Sequence, residues 1–272
     1  MTIGFDGSRA FAFNRTGTEN YSYQLLKALA RIDKKNKYIV YLRAPFFGKF
    51  PNNFLFKKIS WSRLWTQGGL ALQTFKDNLD VLFVPSHTLP VIRKPGIKTV
   101  ITVHDLGSEY LPSMHQVKQR LYLGFMQKRQ LKTATKIIAV SKATKQDLIE
   151  KIGINEQKIS VVYEGYDKEL FKPIKSNQSK TYYLFVGTVQ PRKNLERVIK
   201  AFAIHLEGEK MRLHLRGELK LVIAGSKGWL SDKIYKLPKR LGIEEKVKFL
   251  GYVPDEKLPA LYSGAIALVF PS

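Results

Sequence analysis

The sequence predicts an α/β fold with parallel sheets, divided between two domains. Short apolar runs rich in β-branched and aromatic residues, typical of buried strands, alternate with amphipathic stretches typical of helices. Such alternation is characteristic of parallel sheets whose successive strands are connected by helices. A polar, lysine-rich passage, Lys168–Lys180, interrupts the alternation and predicts a first domain of residues 1–172 and a second of residues 173–272.

Composition limits the classes of protein to which the chain can belong. Its 272 residues include no cysteine, which excludes disulfides and thiolate metal sites. The N-terminal residues predict a strand and lack the basic and then apolar segments of a signal peptide. No apolar run approaches the ~18 residues that a membrane span requires. We therefore expect a cytoplasmic protein. The formal net charge of +24 is spread over both domains and fits attraction to anionic lipid, nucleic acid or a polyphosphate ligand, or simply a solvated lysine-rich surface.

The first domain begins with a strand, a glycine-containing loop and a helix. This order lets the backbone approach a phosphate, although neither the G-x-G-x-x-G spacing of dinucleotide folds nor a Walker pattern is present. Apolar runs predict strands at Thr2–Asp6, Lys37–Leu42, Leu79–Val84, Lys98–Val103, Lys136–Val140 and Ile159–Val162. Helical periodicity predicts helices from Thr18, over Leu64–Phe75, Ser113–Thr133 and Lys142–Glu150, the last capped by Ser141.

Two stretches of this domain allow more than one interpretation. Ala44–Thr66 is predicted to be irregular, and its aromatic rings among lysines either pack the loop onto the domain or contact bases or a membrane. His104 and Asp105 directly follow a predicted strand, and ligands of open α/β sheets bind at the carboxyl ends of strands. His104 is therefore placed to hydrogen-bond a sugar hydroxyl or a leaving phosphate, although a histidine satisfied by the turn is an equally good reading.

The stretch Tyr182–Ala203 carries the clearest site signal of the second domain. It opens with a buried strand that Gly187 closes, continues with a loop carrying Arg192 and Lys193, and ends in an amphipathic helix for which Asn194 is the expected N-cap. The helix N-terminus and the two cations together favour a bound phosphate. An ordinary strand–helix turn with solvated cations is the alternative.

The rest of the second domain repeats the alternation. Strands are predicted at Lys220–Ala224, Lys246–Leu250 and Ala265–Phe270, and helices near Ser231–Leu241 and Asp255–Tyr262. The sequence stops after a predicted core strand without a covering helix. By size, too, this domain is shorter than a typical partner of the first, so we expect it to be incomplete and the chain to be truncated.

Several motifs occur in a fixed order. They are TGTENY at residues 16–21, TVHDL at 102–106, IAVS at 138–141, VGTVQPRKNL at 186–195, VIAG at 222–225, VKFLGYV at 247–253 and FPS at 270–272. In this order and spacing they resemble retaining glycosyltransferases of family 4, in the mannosyl- and glucosyltransferase-like branch. The resemblance covers nearly the whole chain and implies the GT-B fold, in which two Rossmann-like domains with parallel sheets enclose a cleft.

The resemblance also implies roles for individual residues. His104 would lie at the transferring sugar with Asp105 supporting its turn, and Arg192 and Lys193 would hold the donor diphosphate. The implied donor-binding residues are Gly17, Thr18, Gly187, Thr188, Arg192, Lys193, Tyr252 and Val253, the last two through backbone that faces the base. Thr188 occupies the position at which many relatives carry an arginine, so that cation is not implied here.

The reaction implied by the resemblance is transfer of a hexose, mannose or glucose, with retention. The donor would be GDP-mannose or UDP-glucose, and the acceptor lipid-linked or a polysaccharide. No metal or other cofactor is expected, because cations and a helix N-terminus can stabilise the leaving diphosphate and the sequence contains no Asp-x-Asp pair. The family's Glu-x7-Glu pair would lie beyond residue 272, which puts the activity of these 272 residues in doubt.

Three other interpretations remain. A basic nucleic-acid-binding protein fits the charge and the aromatic residues but not the strand-end motifs. A nucleotide-sugar enzyme of the same fold, such as an epimerase, would need no acceptor, and a non-catalytic fragment or subunit would need a partner. If the protein is a peripheral enzyme at the inner face of a membrane, the basic helix Lys118–Lys132 and the loop Phe46–Trp65 are the expected contacts with anionic lipid.

Overall fold

A computed structural model describes residues 1–12, 15, 17–86, 88–106, 128–175, 181–211 and 219–271. The chain divides into two compact units, Met1–Glu164 and Gly165–Ser272. This division lies slightly before residue 172, at which the sequence places the boundary. Each unit contains a parallel sheet of its own, which confirms the α/β class. Within the described ranges, no helix combines the length and the apolarity that crossing a bilayer requires.

The first unit is built on a seven-stranded parallel sheet. Its strands are β1 (Thr2–Asp6), β2 (Lys37–Leu42), β3 (Phe54–Lys58), β4 (Val81–Val84), β5 (Lys98–Val103), β6 (Lys136–Ala139) and β7 (Ile159–Val161). Their order across the sheet is β3-β2-β1-β4-β5-β6-β7. Because the order reverses between β1 and β4, the carboxyl ends of the strands on either side of this point border the crevice in which such sheets bind ligands.

Helices cover this sheet. They are α1 (Gly17–Ile32), a π-helical turn Trp65–Leu70 that continues into α2 (Ala71–Lys76), and α3 (Lys142–Glu150). Ser141 caps α3 as predicted, since its hydroxyl accepts a hydrogen bond from the backbone N–H of Thr144 at 3.0 Å. Residues 128–133 are helical as well, whereas the rest of the predicted helix Ser113–Thr133 lies outside the described residues.

The prediction that Ala44–Thr66 is irregular was wrong in part, because β3 lies within it. Phe54 and Phe56 point to the same face of β3 and join an aromatic cluster, whereas Leu55 between them is exposed. β3 pairs with β2 and forms the edge strand of the sheet. Most rings of the segment therefore pack it onto the domain, although Phe47 remains 94% exposed.

The second unit has a four-stranded parallel sheet. Its strands are β8 (Tyr182–Val186), β9 (Lys220–Ala224), β10 (Val247–Gly251) and β11 (Ala267–Leu268), in the order β10-β9-β8-β11. The helices are α4 (Leu195–Met211), α5 (Asp232–Arg240) and α6 (Leu258–Gly264). As in the first unit, the first strand is central and the order reverses beside it, here between β8 and β11.

The entry into α4 differs from the prediction in its detail. Pro191–Lys193 form a 3-10 turn, and Asn194 ends this turn in the left-handed region with φ +57°. An N-cap residue ordinarily has extended backbone, so Asn194 precedes the helix as expected but in another conformation. Its carbonyl accepts the first helical hydrogen bond, from the N–H of Val198 at 3.3 Å.

Candidate functional site

His104 lies at the carboxyl end of β5 and is held by two oxygen atoms. Its Nδ1 is 2.8 Å from Oε1 of Glu164, which follows β7, and its Nε2 is 3.2 Å from the carbonyl oxygen of Pro85, which follows β4. Three strand ends on the same side of the switch point thus contribute to the environment of one imidazole ring. The ring is 17% exposed, so one part of it still faces solvent.

Both partners of the His104 ring are hydrogen-bond acceptors. A carboxylate oxygen and a carbonyl oxygen can only accept, so a ring nitrogen that is hydrogen-bonded to either of them is the donor. The two contacts hold the ring with Nδ1 toward Glu164 and Nε2 toward Pro85. His104 is thereby oriented at the carboxyl end of β5, where open α/β sheets bind ligands.

Tyr21 connects α1 to this histidine. Its ring packs edge-on against the His104 ring, with centroids 4.7 Å apart, and its hydroxyl is 3.3 Å from the hydroxyl of Thr102 on β5. Burial raises the pKa of the Tyr21 phenol, the hydrogen bond to Thr102 lowers it, and the negative charge of Glu164 raises it further. The first turns of α1 are therefore fixed beside His104, as the TGTENY motif requires if it serves the same site.

The other residues predicted for this site are adjacent in sequence to His104 or to the Tyr21 turn of α1. Asp105 is exposed directly after His104, Gly17 is the exposed first residue of α1, and Thr18 is half-buried behind it. Arg9, in the turn after β1, forms an ion pair of 3.0 Å with Glu19 in the first turn of α1. This pair fastens the start of the helix to the end of the first strand.

The glycine loop of the second unit depends on close contact between backbones. A Cβ atom added to Gly225, at the end of β9, would lie 1.9 Å from the carbonyl oxygen of Gly187, at the end of β8. Both glycines have positive φ, +153° for Gly187 and +154° for Gly225, a region that other residues rarely adopt. The N–H of Gly187 bonds to Ala224, and the N–H of Gly225 bonds to Gly251, at 2.8 and 2.7 Å. Hydrogen bonds thus join the ends of β8, β9 and β10.

Lys193 and Phe270 lie at the switch point of the second sheet. The Lys193 ammonium lies 4.8 Å from the centroid of the Phe270 ring, which follows β11, and that ring stacks on Phe185 of β8 at 5.9 Å. The same ring approaches the position that a Cβ on Gly187 would occupy, at 3.9 Å. The structure therefore brings the glycine loop and one predicted phosphate-binding cation together, and adds the aromatic ring of Phe270, which the sequence reveals only as part of the FPS motif.

The remaining residues predicted for donor binding border the same edge of this sheet. Thr188 is half-buried after Gly187, and Arg192 is exposed in the 3-10 turn before α4. Tyr252 is 39% exposed directly after β10, while Val253 packs against a small apolar cluster that includes Leu184. The predicted donor-binding residues of this unit thus all follow the carboxyl ends of β8 and β10.

Sequence reasoning did not identify Glu164, Tyr21 or Phe270 as site residues. Glu164 lies 60 residues after His104 in the sequence. Only the pairing of β5 with β6 and of β6 with β7 shows that the ends of β5 and β7 are near each other. The signal that could have found it is its own position: an acidic residue soon after a predicted strand, like His104 itself.

Two family models together match almost the whole chain. The model described as Glycosyltransferase Family 4 matches residues 15–170, and the one described as Glycosyl transferases group 1 matches residues 167–272. The chain belongs to glycosyltransferase family 4. The boundary between the two matches agrees with the division into two units.

Curated relatives are similar at moderate identity. An O-antigen chain mannosyltransferase of Salmonella typhimurium is 28% identical over 195 residues, which are 72% of this chain and 50% of the relative. An O-antigen chain mannosyltransferase of Escherichia coli is 26% identical over 185 residues, which are 64% of this chain and 47% of the relative. The chain therefore spans about half the length of these curated relatives.

Solved structures share the fold at lower identity. Sucrose-phosphate synthase from Thermosynechococcus elongatus has a TM-score of 0.73 at 17% identity, covering 100% of this chain and 75% of that one. An Anabaena protein solved in complex with UDP-glucose has a TM-score of 0.71 at 18% identity, covering 100% of this chain and 74% of that one. These neighbours are GT-B glycosyltransferases, and the fold of this chain is of that type.

Proposed function

We propose that this protein takes part in the transfer of a hexose from a nucleotide-sugar donor to a lipid-linked or polysaccharide acceptor. The observation that carries the proposal is the convergence of Gly187, Lys193 and Phe270 at the switch point of the second sheet. Parallel α/β sheets bind ligands at this position, and the three groups offer backbone, a cation and a ring surface. Membership of family 4 supports the same conclusion.

The proposed chemistry requires stabilisation of a leaving diphosphate. Negative charge grows on the diphosphate as its bond to the sugar breaks, and cations aimed at this charge lower the barrier. Lys193, Arg192 and the N-terminus of α4 are the groups that we assign to this role. Since they supply the stabilisation by themselves, the reaction that we propose needs no metal or other cofactor. Retention of the anomeric configuration is part of the proposal on the ground of the family.

His104 is proposed to contact the transferred sugar. Glu164 holds Nδ1 of its ring at 2.8 Å, which leaves Nε2 as the ring nitrogen that would contact a sugar hydroxyl. The contact of Nε2 with the Pro85 carbonyl, at 3.2 Å, is the longer of the two and is the one that a ligand oxygen would share or replace. Asp105 is assigned to the support of this turn, and Gly17 and Thr18 to the approach of the donor phosphates.

We propose GDP-mannose as the donor and UDP-glucose as the alternative. Two relatives named O-antigen chain mannosyltransferases support a mannosyl donor, and the structural neighbour in complex with UDP-glucose supports the alternative. In either case we propose that backbone at Tyr252 and Val253 faces the base. A lipid-linked acceptor would put the protein at the inner surface of a membrane, which the net charge of +24 would attract if that surface is anionic.

Titration calorimetry with GDP-mannose, UDP-glucose and their free nucleotides tests the proposal. Lys193→Ala is expected to weaken binding of the selected donor about ten- to a hundredfold, the range for loss of one charge-assisted hydrogen bond. Lys200→Ala is the matched control, since Lys200 is an exposed lysine on α4 with the same charge. Equal effects of the two substitutions, or no binding of any donor to a cooperatively folded chain, would contradict the proposed function.

A further inference from the structure

A cavity of about 780 Å³ opens on the first unit, between α1 and the segment that follows β2. Its volume lies within the range of small-molecule sites, about 300–1,000 Å³. Tyr23 lines it, whereas Tyr21, two residues earlier, packs on His104. Two residues correspond to about 200° around a helix, so the cavity and the histidine lie on nearly opposite sides of α1.

The floor of this cavity is a cluster of phenylalanine rings. The Phe11 centroid lies 4.5 Å from that of Phe46 and 6.5 Å from that of Phe50, and the Phe46 and Phe50 centroids are 5.5 Å apart. Gly48 makes the arrangement possible, because a Cβ there would lie 2.2 Å from the Phe46 ring. Two of these three ring contacts are edge-on. The floor therefore offers hydrocarbon contact and not the parallel ring faces on which bases stack.

The rim of the cavity is cationic. Lys27 and Arg31 are one helical turn apart on α1, Lys34 follows just beyond its end, and Arg15 and Lys49 complete the rim. None of the described residues that line the cavity is acidic. Five positive charges around an apolar floor complement a ligand that is anionic at one end and apolar along the rest.

Arg15 gives a second indication of an anionic ligand. Its guanidinium lies 4.2 Å from the centroid of the Tyr23 ring, and its Nε is shielded from solvent without a hydrogen-bond partner among the described residues. A buried donor without an acceptor is costly, and a ligand oxygen would remove that cost. The lining itself offers this nitrogen no carboxylate.

We propose that this cavity binds an anionic lipid, with the hydrocarbon chain on the phenylalanine floor and the phosphate on the cationic rim. The inference rests on the proposed function, because a lipid-linked acceptor would bring the protein to an anionic membrane surface. The ligand that we assign is a lipid of that surface and not the reacting end of the acceptor, since the cavity and His104 lie on nearly opposite sides of α1. Neither end of the ligand alone satisfies the cavity, since a free phosphate would leave the rings exposed and a neutral chain would leave the Arg15 nitrogen without an acceptor.

Calorimetry with dodecyl phosphate, kept below its micelle concentration and without nucleotide sugar, tests the inference. The triple variant Lys27→Gln, Arg31→Gln, Lys34→Gln is expected to weaken binding on the order of a hundredfold, about fivefold for each cation removed. The control is Lys200→Gln, Lys233→Gln, Lys239→Gln, which removes the same charge from exposed positions of the second unit and is expected to change binding by less than about twofold. Equal loss in the two variants would overturn the inference.

Additional measurements distinguish binding in the cavity from a general attraction of the protein to membranes. Phe46→Ala is expected to weaken the binding of dodecyl phosphate about tenfold, because the ring that contacts the hydrocarbon chain is lost. The same substitution should leave the calorimetric binding of inorganic phosphate unchanged. Dodecyl maltoside, which has the chain without the charge, should bind much more weakly than dodecyl phosphate. If the protein binds anionic vesicles but not monomeric dodecyl phosphate, the proposal that the cavity binds lipid is wrong. Donor binding measured on the same preparation is independent: its failure alone rejects the proposed function, and failure of lipid binding alone rejects this inference.

Discussion

Substitution of Gly225 by alanine should disrupt the second unit at its candidate site. The added Cβ would lie 1.9 Å from the carbonyl oxygen of Gly187 and 2.5 Å from its carbonyl carbon, whereas real Cβ atoms essentially never come closer than 3.0 Å. The two backbones must therefore separate by more than 1 Å. The neighbouring hydrogen bonds oppose this movement, namely Gly187 to Ala224, Gly225 to Gly251 and Val189 to Ser226, all between 2.7 and 2.9 Å.

The cost can be estimated from its parts. A non-glycine residue at φ +154° costs about 1–3 kcal/mol, and relieving the overlap costs about 1–3 kcal/mol more. Each backbone hydrogen bond lost in that relaxation adds about 1 kcal/mol. The free energy of unfolding of the second unit should thus fall by about 3–6 kcal/mol, a large part of the roughly 5–15 kcal/mol typical of a domain.

Hydrogen exchange of the β8 and β9 amides, followed against urea concentration, measures this loss in the second unit without interference from the first. Gly208→Ala is the control, because Gly208 lies within α4 with no atom near its missing Cβ, and alanine there should stabilise the helix by about 0.5–1 kcal/mol. A loss below about 1 kcal/mol for Gly225→Ala would refute the reasoning, since it would mean that the loop accommodates a side chain.

Two further predictions concern the first unit. Glu164→Ala should lower kcat for sugar transfer about tenfold with little change in the donor KM, because His104 loses the partner that holds its Nδ1, whereas Glu164→Gln keeps an acceptor and should recover most of the rate. Equal losses in the two variants would exclude this positioning role. Burial raises the pKa of Asp6, against the opposing effects of Ser8, Arg9 and Arg43. Its contribution to stability is therefore complete below the unfolded pKa and is lost as the pH rises through the folded pKa. Asp6→Asn should accordingly stabilise the chain more at pH 7 than at pH 3 in urea unfolding, and an equal effect at both pH values would contradict this.

The strands were predictable where burial on both faces leaves a continuous apolar run. β2 and β8 match their predicted bounds because their interior positions select apolar or aromatic residues. β5 matches as well, since the buried residues Thr99 and Thr102 that interrupt its apolar run are β-branched and favour a strand. β3 was missed for the opposite reason. It is an edge strand with one buried face, and Leu55 on its exposed face hid the alternation of Phe54 and Phe56.

The site was predictable only as far as single strand ends reveal it. His104, Gly187 and Lys193 each follow a recognisable strand, and a residue at that position is near the crevice whatever the order of strands. Which strand ends are neighbours is a property of that order, so the contact of Glu164 with His104 could not be read from the chain. Helical periodicity did not predict the π-helical turn at Trp65–Leu70. Within this turn Trp61 packs so closely on Gly68 that a Cβ there would lie 2.3 Å from the indole ring, a contact that periodicity does not reveal.

The two sheets have the same order around their first strands but present different chemistry at their carboxyl ends. In the first unit side chains meet at that edge, as His104, Glu164 and Tyr21 do, and side chains can discriminate among hydroxyl groups. In the second unit the backbones of Gly187 and Gly225 come so close that no Cβ fits between them, so these two positions present no side chain at the edge, and Lys193 lies beside Phe270 there. This difference supports the proposal that the sugar contacts the first edge, whereas Arg192 and Lys193 at the second edge hold the diphosphate that Gly17 and Thr18 of the first unit approach. It also separates the two assignments experimentally, because Glu164→Ala should affect turnover at unchanged donor affinity, whereas Lys193→Ala should affect donor affinity itself.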